Sequence, residues 1–206
     1  MKHVLKRLFI DPDTPARERE KIIYLAVENG CNTLVFSLGD SFFTTKFRSH
    51  KYFKLISTHG LRIEAGGCDF PVFLPKRLFA KDRELFRMDQ GVRKSDIHFC
   101  PTNPKTISII MDNAQKLFNR VFDKVTPPRI FHLLPDKGHE ETWCACPACR
   151  AFSPAEQYLI AVNSAADSLA KVDMDAKIYY IDFDREPDAE GISPKKNVIV
   201  STGNKI

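Results

Sequence analysis

The chain has 206 residues, 43% hydrophobic and 28% charged, with a formal net charge of +5. That is enough sequence to bury a core without a disulfide framework, and the balance is that of an ordinary globular domain rather than a disordered or fibrous chain. No stretch approaches the ~20 apolar residues of a membrane span.

Lys2, Lys6 and Arg7 are followed by the acidic, proline-rich residues 11–15, so a signal-peptide core is missing and a cytoplasmic protein is expected. In that setting six cysteines point to metal ligands or buried thiols more than to disulfides. The basic residues between Lys76 and Lys94 are interleaved with acids, which fits a solvated face better than a nucleic-acid stripe.

In chain order, residues 3–10 form an expected strand. A helix follows, with Thr14 as N-cap, Pro15 in its first turn and Gly30 as its left-handed stop. Residues 31–37 are a short buried strand. The next helix carries Phe47, Tyr52, Phe53, Leu55 and Ile56 and ends at Gly60, ahead of a third strand at 61–65. A long connection, 66–102, then leads to a helix opened by Asn103-Pro104, whose apolar positions run from Ile107 to Val121. Pro127-Pro128 introduces a fourth strand at 129–134. A second long loop, 135–152, holds a run of cysteines. Ser153-Pro154-Ala155-Glu156 is a capping box with proline in its first turn, and strands five and six are expected at 177–181 and 197–200.

This strand–helix rhythm predicts an α/β fold with a parallel sheet in a single domain over 1–206. A doubly wound sheet would carry a glycine-rich phosphate loop after its first strand, where this chain has Asp11-Pro12-Asp13. Long loops after strands three and four suit a (β/α)8 barrel, whose active face is built from such loops. With about six parallel strands, the expectation is an incomplete (β/α)8 TIM-like barrel, two units short of a whole one.

Acidic residues recur near the strand ends: Asp11, Asp40, Asp69, Asp136 and Asp182, with Glu64, Glu140 and Asp184 close by. Paired carboxylates on one rim are what glycoside chemistry needs, although aspartate after a strand also serves turns and caps. Asp136 and Glu140 are the candidate acid and base. Glu64, Asp69, Asn103 and Trp143 are the candidate substrate-binding residues. Cys144, Cys146 and Cys149 form a C-x-C-x2-C cluster, one ligand short of a tetrahedral zinc site. His139 is the nearest fourth ligand in sequence, while Cys100, Cys68 and His132 are alternatives if the loops fold over one face.

The segments 64–67 (Glu-Ala-Gly-Gly), 99–104 (Phe-Cys-Pro-Thr-Asn-Pro) and 143–150, together with Asn163 and Asp167 in the helix that follows, resemble the DUF4838 proteins in order and spacing over residues 3–185. The resemblance implies a TIM barrel related to β-hexosaminidases and α-glucuronidases, hence a carbohydrate ligand, and a barrel that continues past residue 206. Where that family's pattern has histidine after the Gly-Gly pair, this chain has Cys68. The expected function is a glycoside-hydrolase-like barrel with a carbohydrate-binding rim and a zinc-binding cysteine cluster. The alternative is a truncated, catalytically inactive relative acting as an interaction or metal-binding module, self-associating through open sheet edges.

Overall fold

The structure is a computed structural model that describes residues 6–11, 13–15, 17–38, 40–44, 46–68, 70–96, 98–133, 143–182 and 191–202. Its elements are β1 (Arg7–Ile10), α1 (Arg19–Glu28), β2 (Thr33–Phe36), α2 (Ser41–Thr44), α3 (Lys46–Thr58), β3 (Arg62–Cys68), β4 (Met88–Asp89), β5 (Val92–Arg93), α4 (Pro104–Val121), β6 (Ile130–Leu133), α5 (Pro154–Ala170), β7 (Lys177–Asp182) and β8 (Val198–Thr202). Six of the strands form one parallel sheet in the order β1-β2-β3-β6-β7-β8, which is also their order along the chain. Each strand therefore lies beside the next, the arrangement of a (β/α)8 barrel rather than of a doubly wound sheet. The expected six parallel strands are present, and the long connection after the third holds three short 3-10 turns and the two-stranded β4–β5 hairpin.

Register sorts the side chains. Leu34 lies opposite Ile63, and Ala65, Phe131 and Ile178 follow across the sheet. These residues are buried against the helices with Ile110, Ala114 and Phe118 of α4 and Val162, Ala165 and Leu169 of α5. The opposite face, the barrel interior, carries Phe9, Val35 and Glu64 in one row and Gly66, His132 and Tyr179 in the next. Gly66 is required where β3 meets β6. Its φ is +139°, and a Cβ there would stand 2.2 Å from the carbonyl oxygen of His132.

Local chemistry explains most boundaries. Asn103 caps α4 by accepting the N–H of Lys105 at 2.9 Å, with Pro104 in the first turn. The capping box of α5 forms as expected: Ser153 Oγ accepts from Glu156 N–H at 3.3 Å, and Glu156 Oε2 accepts from Ser153 N–H at 2.7 Å. The first helix is different. The described residues ahead of it make turns, with Thr14 N–H to Asp11 O at 3.0 Å and Glu18 N–H to Pro15 O at 2.9 Å, and α1 begins only at Arg19. A tertiary contact fixes that start, because the buried Arg19 guanidinium grips both oxygens of buried Asp40, at 2.6 and 3.0 Å. Among the described residues no helix is long and apolar enough to cross a membrane.

Candidate functional site

Two polar clusters stand out against the apolar core. The first lies in the loops. The turn preceding α4 supplies Cys100, and the segment leading into α5 supplies Cys144, Cys146 and Cys149. All four thiols are buried and within 4.8 Å of one another. Cys100 Sγ is 3.7 Å from both Cys146 Sγ and Cys149 Sγ. A tetrahedron of thiolates bonded to one metal at ~2.3 Å has edges of roughly 3.8 Å, the spacing of Cys100 from Cys146 and Cys149. They can hold a metal ion.

Backbone geometry puts them there. Cys149 and Arg150 N–H both donate to the carbonyl of Cys146 at 3.0 Å, which makes the tight turn of the C-x2-C half. Gln157, buried on the first turn of α5, accepts from Cys144 N–H and donates to the carbonyls of Cys144, Cys149 and Phe152. Cys144 and Cys149 donate to Cys100, aided by Thr102 and Arg93, which pulls Cys100 far below the ordinary thiol range. Hydrogen bonding to Cys100 in turn holds Cys144 and Cys149 above it.

The second cluster lies in the barrel interior. Glu64 Oε2 accepts from Arg7 Nε at 2.7 Å and pairs with His132 Nε2 at 2.6 Å, with both Glu64 and His132 buried. Phe9 and Tyr179 set their rings against His132 with centroids 5.3 and 5.4 Å away, and Arg7 lies over the Tyr179 ring. Burial alone would raise the Glu64 carboxyl, but the hydrogen bonds from His132 and Arg7 win and hold it below the usual carboxylate value. Burial lowers the His132 imidazole, against the opposing pull of Glu64. The pair is therefore a carboxylate facing a neutral imidazole that donates from Nε2. Glu64 Oε1 and His132 Nδ1 have no hydrogen-bond partner among the described residues.

The candidates read from the sequence are distributed as follows. Glu64 is inside β3, committed to Arg7 and His132, and not on the rim where a substrate-binding role had placed it. Asn103 is consumed as a helix cap, its amide donating to Glu84 O at 2.9 Å. Trp143 is half-buried, stacked on His98 at 4.1 Å and edge-on to Phe99 and Tyr158, so it is packing rather than an open sugar platform. Asp11 makes a turn and Asp40 an internal ion pair. Asp69, Asp136, His139, Glu140 and Asp184 lie outside the described residues, and of Asp182 and Cys68 only the backbone is described. Cys100 joins the three clustered cysteines, whereas His132 faces the barrel interior. A hydrogen-bonded core histidine was the expected reading of His132, but its partners were not legible beforehand, since their only signal is an ionisable residue at an inward position of each of three strands.

No protein-family model matches the chain, and neither does any curated protein. Solved structures do. The GH20 catalytic module of a pneumococcal exo-β-D-N-acetylglucosaminidase, StrH, is similar over 95% of this chain and 58% of its own, with 11% identity and a TM-score of 0.64. A β-N-acetylhexosaminidase is similar over 87% of this chain and 46% of its own, with 18% identity and a TM-score of 0.58. An α-galactosidase from Lactobacillus brevis gives 86% and 26%, with 9% identity and a TM-score of 0.54. The chain thus spans from about a quarter to a little over half of these neighbours. At such identities the likeness is one of fold, and it makes the six-stranded sheet an incomplete (β/α)8 barrel.

Proposed function

We propose that this chain is part of a carbohydrate-binding, glycoside-hydrolase-like barrel of the DUF4838 kind, and that a tetracysteine zinc centre ties together the loops after its third and fourth sheet strands. The observation that carries the reading is the pairing of a barrel sheet shared with glycoside hydrolases and a four-sulfur cluster built from two separate loops. Zinc is the metal best suited to four thiolates in a closed tetrahedron, and a closed set leaves no open position for catalysis. The metal is then a brace. Asp136 and Glu140 remain the proposed acid and base, with Asp69 as a proposed substrate-binding residue.

Calorimetry of the zinc-loaded chain against a panel of hexosamines and uronic acids tests this. Saturable binding supports the carbohydrate reading. A folded, zinc-loaded chain that binds none of them overturns it and leaves a metal-braced interaction module.

A further inference from the structure

We infer that Arg93 is the counter-charge of the tetracysteine centre, and that the β4–β5 hairpin belongs to that centre as the arm that delivers it. The inference rests on the metal reading above and adds a residue that the cysteine motif does not contain.

The physical problem is charge. Four thiolates around a divalent cation leave a net charge of about −2, and here the four cysteines are no more than 5% exposed. A buried charge of that size needs hydrogen-bond donors and cations close by. The hairpin brings both. Met88 N–H donates to Cys144 Sγ at 3.3 Å, and Arg93 Nη1 reaches the same sulfur at 3.7 Å.

The hairpin is shaped for this task. Gln90 and Gly91, both at positive φ (48° and 80°), make the tight two-residue turn that sets Met88 opposite Arg93. Ala145 N–H donates to Met88 O at 2.7 Å, which docks the cysteine segment along β4. Arg93 is itself aimed: Nη1 donates to Phe86 O at 2.8 Å, and Nη2 pairs with Glu84 at 2.5 Å. Its side chain is only 13% exposed, whereas Glu84 is 64% exposed and well solvated. Arg87, almost wholly buried just before Met88, is already paired with Asp96 and Asp89, which leaves Arg93 as the hairpin's guanidinium for the sulfurs. By linkage, a cation that stabilises the loaded centre raises metal affinity, and the metal in turn stabilises the docked hairpin.

The test uses the full chain and four substitutions. Zinc affinity is measured by competition with a chromophoric chelator, and the thiolate environment is read from the charge-transfer band of the cobalt(II) form. Arg93→Met is expected to weaken zinc roughly 10–100-fold, the range found when groups supporting metal ligands are removed, and to shift the cobalt band. Arg93→Lys restores part of the affinity. Arg93→Gln, which keeps an N–H donor without the charge and guards against misfolding of the methionine variant, falls between Lys and Met. Arg83→Met, an exposed arginine just ahead of the hairpin, leaves both readouts unchanged.

Wild-type affinity and an unshifted cobalt band in both Arg93→Met and Arg93→Gln would overturn the role of Arg93 while leaving the metal centre intact. A wild-type chain that binds neither zinc nor cobalt would overturn the metal reading and this inference together.

Discussion

The tetracysteine cluster and the Arg7–Glu64–His132 cluster are both buried and polar, but they solve their burial differently. The interior cluster pairs its charge internally: one carboxylate oxygen of Glu64 takes a donor from Arg7 and one from His132, and strand register holds all three. The cysteine cluster has four sulfurs and too few donors for them, and it is made from loops that no ladder aligns. A charged group inside a sheet is paired by neighbouring strands, whereas four thiols between loops gain as a set from a cation in their midst, which is the role proposed for zinc.

That contrast can be broken experimentally, starting with the largest effect. Stripping the metal by chelation, or Cys149→Ser, should lower stability by about 4 kcal/mol when free zinc stands a thousandfold above its Kd. For a chain of this size that is roughly 10 °C or more in Tm, and scanning calorimetry with and without chelator checks it. Removing the metal should leave the sheet itself folded, seen as retained amide protection in β2, β3, β6 and β7. Glu64→Gln should cost about 3 kcal/mol in urea unfolding, because it removes the buried charge paired with Arg7 and sets an amide NH2 where Oε1 has no partner. It should do so without any loss of metal, which separates the two clusters.

The interior cluster adds a pH dependence of its own, which is smaller and is read on the metal-free chain, since metal binding to thiolates also depends on pH. Both shifts act in the same direction. An imidazole held below its ordinary value binds a proton more readily when unfolded, so stability falls as pH drops below about 6.5. A carboxylate held low adds a further loss as pH falls through the carboxylate range toward its folded value. Tm should therefore fall from pH 7 to pH 5, and His132→Asn should flatten the upper part of that slope. The smallest effect expected is Ser153→Ala, about 1 kcal/mol from loss of the α5 cap, measured by urea unfolding. It should leave metal stoichiometry unchanged.

The sheet and its helices were largely legible because their signals are local. Asn103-Pro104 and the Ser153–Glu156 box start helices wherever they occur, and the glycines at 30 and 60 end them. The false start at Thr14 shows the limit: a good cap was outweighed by the Arg19–Asp40 pair, residues 21 apart in sequence. The β4–β5 hairpin, two residues to a strand, is too short for any periodicity to announce. Three of the four clustered cysteines were visible by spacing, while Cys100 could be only one alternative among several until the loop after β3 was seen to fold back upon them. Arg93 carried no signal, since one arginine in a basic stretch looks like its neighbours.

Native mass spectrometry of the intact chain, purified without chelator, beside Cys100→Ser shows whether four sulfurs hold one metal ion. The account predicts a compact species carrying one zinc per chain, and a variant that retains none or holds it so weakly that mild chelation removes it. A metal-free wild type, or a Cys100→Ser variant that keeps its zinc as tightly as the parent, would contradict the four-sulfur centre on which the account rests.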